Sequence, residues 1–126
     1  MPLRVTRADD APRYDPPRHH RVDASRLQGH EAGPTERFWV GLSVYQPGGA
    51  AEPGPTAEET VYVLLDGELV VTAGADEVTL SPRDSVHLPK GTMRAVENRS
   101  GESATLLVVI GQPPSDPFGP DGKALP

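Results

Sequence analysis

Residues 38–49 read FWVGLSVYQPGG, in which Phe38, Val40, Leu42 and Val44 alternate with Trp39, Gly41, Ser43 and Tyr45. A period of two puts the two sets on opposite faces of a strand and conflicts with the 3.6-residue repeat of a helix. The same habit continues downstream. TVYVLLDGELVVTAG (60–74) predicts two strands of β-branched and aliphatic residues around Asp66-Gly67, a strong short-range hairpin signal. EVTLSPRDSVHLPKG (77–91) predicts two short strands parted by a Ser-Pro turn. MRAVENRSGESATLLVVIG (93–111) predicts two more, separated by residues 98–103. Six or seven short strands follow from Phe38 onward, with no convincing helical segment and no internal repeat, so the expected fold class is all-β, a sandwich or barrel.

The totals agree with that class. Fifteen prolines and thirteen glycines in 126 residues favour many corners over long helices. The length suits one core, not two. Residues 1–37 are polar and proline-rich, with a few apolar anchors such as Val5, Tyr14 and Val22, and are expected to form an N-terminal arm with at most one strand. Residues 38–111 hold the barrel. Residues 112–126, QPPSDPFGPDGKALP, carry turn chemistry throughout and are expected as a C-terminal surface tail.

A net charge of −6 opposes nonspecific attraction to nucleic acid or anionic lipid. No run of eighteen apolar residues is present, and the N-terminal stretch lacks an apolar export region, so neither membrane insertion nor secretion is expected and a cytoplasmic location is the plain reading. Without cysteine there is no disulfide, thiolate metal site or cysteine nucleophile. No phosphate-cradling glycine loop or G-x-S-x-G elbow is found.

PGG…EETVYVLLDGEL followed by RDSVHLPKGTMRAVEN resembles the two motifs of the cupins, which fold as a double-stranded β-helix, or jelly-roll barrel. Gly48, Tyr62, Gly67, Asp84, Pro89, Gly91 and Asn98 keep the frame of those motifs. Arg83 replaces the glycine before Asp84. The resemblance implies metal ligands at four positions, three histidines and a glutamate. Anchored on Gly67, Pro89 and Gly91, those positions fall at Gly54, Thr56, Thr60 and Arg94. A first-row metal needs three or four N or O donors at about 2.0–2.2 Å. Glycine offers none, a threonine hydroxyl is a poor ligand, and an arginine cation repels the ion. No metal and no cofactor are expected.

What remains is organic chemistry. Arg94, following the histidine it replaces, is expected to aim its planar fork at a ligand carboxylate. Tyr62 shares a face with Thr60 and Leu64, the inward face in cupins, and can donate a hydrogen bond. His87 and an arm histidine of the Arg18-His19-His20 run, His20 for preference, are candidate proton carriers. Glu58 and Glu59 are candidate partners or bases near the mouth, and Thr56, Thr60 and Trp39 candidate ligand contacts. For each a bland reading competes: a solvated arginine head, a surface histidine, a solvated acidic pair, a tryptophan that only packs. The resemblance implies a metal-independent enzyme of lyase, isomerase or cyclase type acting on a small acidic or aromatic metabolite. A non-catalytic metabolite-binding or sensor cupin is the alternative; a metal-dependent dioxygenase is the third, against which the missing ligands speak. A homodimer is expected, with the arm covering exposed strand edges.

Overall fold

The computed structural model describes residues 3–113, and the expected tail of residues 112–126 therefore lies almost wholly outside them. The described residues form nine strands: β1 (Arg13–Tyr14), β2 (His19–Gln28), β3 (Phe38–Pro55), β4 (Thr60–Asp66), β5 (Leu69–Ala73), β6 (Asp76–Leu80), β7 (Ser85–Leu88), β8 (Met93–Glu97) and β9 (Ala104–Gly111). Two single 3-10 turns, Ala8–Asp10 and His30–Ala32, are the only helical pieces among the described residues. None of these is long and apolar enough to cross a membrane. All strand pairs are antiparallel, in the order β6-β5-β8-β3-β9-β4-β7, with β2 also bonded to β3 and β1 to β2. The result is a nearly closed jelly-roll barrel of the expected all-β class, with seven strands from Phe38 onward.

Two local expectations give way to the tertiary arrangement. Pro47-Gly48-Gly49 does not end the first barrel strand. It bends β3, whose residues 38–45 pair with β9 and whose residues 50–55 pair with β8. One long strand thereby serves both halves of the barrel. Asp66-Gly67 makes a turn but no hairpin: β4 bonds to β7 and β9, whereas β5 bonds to β6 and β8. Turn chemistry reverses the chain locally, and burial decides which strands then meet. The two-residue hairpin in this region is instead β5–β6, closed by Gly74-Ala75 with Ala73 opposite Asp76.

The stretch expected as an arm holds two strands, not one at most. β2 pairs with β3 from Gln28↔Val40 to His19↔Ala51, with shifts of register between His20 and Val22 and between Arg26 and Gln28. One edge of β2 is thus paired within the chain, and β1 covers the other at Ala24 and Ser25.

The inward face of β3 is the mixed one. Gly41, Ser43 and Tyr45 are buried, while Phe38 on the other face is half exposed. On β4 the period-two reading holds, with Thr60, Tyr62 and Leu64 all buried. Leu64, Leu69, Leu88 and Leu106 are fully buried and form the apolar centre with Val71 and Val96. Each such leucine contributes roughly 1.5–3 kcal/mol by leaving water. Tyr45, Tyr62 and Val108 belong both to this core and to the wall of an open cavity beside it.

Candidate functional site

The cavity measures about 470 Å³, a size suited to a small molecule. The barrel supplies Trp39, Ser43, Tyr45, Glu52, Gly54, Tyr62, Arg94, Val108 and Ile110; the N-terminal segment supplies Tyr14, Asp15, Arg18, His19 and Arg26. The barrel strands give an apolar floor, the loop between β1 and β2 adds Asp15 and Arg18, and β2 adds His19 and Arg26.

Arg94, on β8, links the second half of β3 to β4. Its Nε donates to the Tyr62 hydroxyl at 3.0 Å and its Nη1 to the Glu52 carbonyl at 3.1 Å. Because the Tyr62 oxygen accepts from Arg94, its own proton stays available for a ligand. Burial raises the Tyr62 pKa against the opposing pull of Arg94, and burial likewise raises those of Tyr14 and Tyr45. All three phenols are therefore protonated donors at neutral pH.

His19 lies in the wall with Nδ1 2.9 Å from the Pro17 carbonyl. A carbonyl only accepts, so Nδ1 carries the proton and neutral His19 keeps a free lone pair on Nε2. Burial lowers its pKa; the Pro17 contact opposes this, and the Arg94 and His20 charges add to the lowering. His20 points elsewhere. Its Nε2 meets Glu52 Oε2 at 2.6 Å with the imidazole mostly in water. Arg26 is sandwiched between the Tyr14 ring (3.6 Å) and the Trp39 ring (4.3 Å) and lies 3.6 Å from Glu31. Cation–π contact of this kind stiffens that wall.

Of the residues singled out from the sequence, Tyr62, Arg94 and Trp39 line the cavity. His87 does not. Leu88 beside it is buried in the core, so the pleat turns His87 outward, where Nε2 meets Glu59 Oε2 at 2.7 Å. Glu59 is bound there too, and Glu58 lies 3.6 Å from Lys90 Nζ. Thr56 and Thr60 are buried, with hydroxyls donated to the Thr92 and Glu58 carbonyls. His20 touches the site only through Glu52. Asp15, Tyr14, Arg26 and Glu52 are among the cavity residues that the sequence does not single out for the site, whereas His19 stands beside the preferred His20 as a candidate arm histidine. For Glu52 there was no usable signal: a bulge between Ala51 and Gly54 moves the inward face of β3 from odd to even positions.

The family profile described as Cupin domain matches residues 41–110. This chain belongs to the cupin family. It is 61% identical over 111 residues to Beta-D-galactosidase Rv1717 of Mycobacterium tuberculosis (strain ATCC 25618 / H37Rv), covering 88% of this chain and 96% of that protein. The polyketide cyclase RemF from Streptomyces resistomycificus has the same fold, with TM-score 0.76 and 16% identity over 95% of this chain and 89% of that one. TT1209 from Thermus thermophilus matches at TM-score 0.64 and 26% identity, over 88% of this chain and all (100%) of that one.

The ligand positions implied by the cupin motifs do not fit a first-row metal in this chain. Gly54 has no donor, both threonine hydroxyls are committed to carbonyls, and Arg94 brings a cation. Among the described residues no group of three or more histidine, aspartate or glutamate side chains converges as a ligand set. This cupin is a small-molecule-binding barrel whose wall offers carboxylates, phenols, a neutral imidazole and guanidinium groups.

Proposed function

We propose that this cupin hydrolyses a small β-galactoside in the barrel cavity. The observation that carries the reading is the 61% identity to Beta-D-galactosidase Rv1717, spread over 96% of that protein. The cavity chemistry is compatible with it. Glycoside hydrolysis commonly uses two carboxyl groups, one protonating the departing oxygen while the other activates water or attacks the sugar carbon. Asp15 and Glu52 are the two acidic residues of the cavity wall, and Glu52 Oε2 is at the same time paired with His20 Nε2 at 2.6 Å. In the overall reaction the C–O bond to the aglycone breaks, water's oxygen joins the sugar carbon, and its two protons go to the aglycone oxygen and the new sugar hydroxyl. Tyr62 and Tyr45 act as hydrogen-bond donors to sugar hydroxyls, His19 as an acceptor, and Trp39 as apolar wall.

The test is release of galactose from an aryl β-D-galactopyranoside by the purified chain. Glu52→Gln and Asp15→Asn should each lower kcat by about 10²–10⁴-fold if they move protons in the rate-limiting step. Full activity in both variants, or no release by the wild type, overturns the reading. The lyase, isomerase or cyclase chemistry expected from the cupin resemblance draws on the same groups. It differs in product, because hydrolysis alone releases free galactose and the intact aglycone alcohol or phenol with solvent oxygen on the sugar carbon. A sensor would bind galactose and turn nothing over.

A further inference from the structure

Arg18 adopts φ +58°, a left-handed conformation that costs a residue with a Cβ about 1–2 kcal/mol. Its carbonyl accepts from Glu52 N at 3.0 Å, which ties this strained point to β3. The side chain consequently lies over Gly54: a Cβ at that glycine would stand 2.6 Å from Arg18 Nη2. Gly54 is also the register partner of Arg94 across β3 and β8. Two guanidinium groups, one from the N-terminal segment and one from the barrel, therefore flank a single glycine in the cavity wall.

Neither guanidinium forms an ion pair among the described residues, where seven such pairs are found. Arg94 has only a phenol oxygen and a carbonyl as acceptors, leaving its Nη2 uncommitted. Like charges brought together in a half-buried cavity are unfavourable unless an anion lies between them. Backbone strain at Arg18 and the missing side chain at Gly54 are both required for the approach. Burial is the main reason His19 stays below its ordinary pKa, and the positive charge of Arg94 adds to it.

We propose that Arg18 and Arg94 form a subsite for a ligand carboxylate, so that the sugar taken is an acidic one of the galacturonic type. The forked guanidinium matches a planar carboxylate in two parallel hydrogen bonds. This substrate class rests on the galactosidase reading; the subsite itself does not.

Calorimetric titration of the full chain at low salt with sodium D-galacturonate and with D-galactose tests the subsite directly. Galacturonate should bind about tenfold or more tightly than galactose. Arg18→Gly, which relieves the left-handed backbone and so keeps the fold, should bring that ratio to about threefold or less. Arg94→Met should do the same, and thermal unfolding checks that each variant is folded. Equal affinities in the wild type, or an undiminished ratio in folded Arg18→Gly, overturn the proposal. Inorganic sulfate binding as tightly as galacturonate also overturns it, since the site would then be a general anion trap. The two readings fail separately. Hydrolysis of the neutral aryl galactoside without preference for galacturonate sinks the subsite alone. Preferential galacturonate binding without hydrolysis of the aryl galactoside sinks the galactosidase reading alone.

Discussion

His19 and His20 are sequence neighbours in different environments, one lodged in the cavity wall against Pro17 and the other in water beside Glu52. The sequence points to this pair but not to the choice between them, because Arg21 takes φ +56° and β2 shifts register beside it. The difference has a thermodynamic consequence. His19's folded pKa lies below its ordinary value of 6.5, so as pH falls the unfolded chain binds the proton first. Its contribution is fully present above about pH 6.5 and is lost as pH falls from there through the native pKa. Urea midpoints measured from about pH 7.5 to 5 should fall less steeply in His19→Gln than in the wild type. Parallel slopes would assign the titration to another group. Arg94 was legible as a residue of interest because it replaces a family ligand. Its partners, the Tyr62 hydroxyl and the Glu52 carbonyl, come from strands thirty-two and forty-two positions away, and no local pattern announces them.

Elements were easier to read than their partners. Each strand from Phe38 onward shows its alternation or β-branched run, and the turns lie where Gly, Pro, Asn and Asp cluster. The two glycines flanking β5 separate turn chemistry from packing. Gly67 (φ +83°) has no room for a Cβ, which would stand 2.6 Å from Ser103 O and 2.7 Å from Ala104 Cα. Gly74 (φ +61°) faces open space. Gly67→Ala should cost about 3 kcal/mol or more and Gly74→Ala only about 1 kcal/mol, read from denaturant midpoints. Equal costs would mean that backbone conformation alone governs both. Asn98 makes a related point: it is buried, its Nδ2 donates to Tyr45 O (3.0 Å) and Glu102 O (2.7 Å), and its Oδ1 accepts from Ser100. Asn98→Ala removes the side-chain donor to the buried Tyr45 carbonyl and the acceptor of the Ser100 N–H and hydroxyl, and should destabilise by about 2–3 kcal/mol in the same assay. Asn98 is legible in the sequence as a residue of the cupin motif frame, but its reach to β3 is not.

At the scale of the molecule, β2 is the element whose role most exceeds its sequence signal. It carries few apolar residues, yet it closes one edge of β3 and brings His19 and Arg26 to the cavity. Deleting residues 1–28 should abolish cooperative unfolding and leave aggregated material on size exclusion, because a long β3 edge becomes unpaired. A deletion that still unfolds cooperatively would show the barrel to be independent of this segment. The proposed homodimer, tested by elution of the full chain at twice the monomer mass, must use another surface wherever β2 is already bonded to its own β3. Period-two alternation and turn residues were enough to establish the all-β class, and the resemblance to the two cupin motifs, with Gly54, Thr56, Thr60 and Arg94 at the ligand positions, implied a barrel without the family's metal ligands. These properties are local: they follow from side-chain direction on a pleat and from the chemistry of single residues. Which strands pair, which face of β3 turns inward after its bulge, and which N-terminal charges cover the cavity were decided by burial of the whole barrel, an energy summed over residues far apart in the chain.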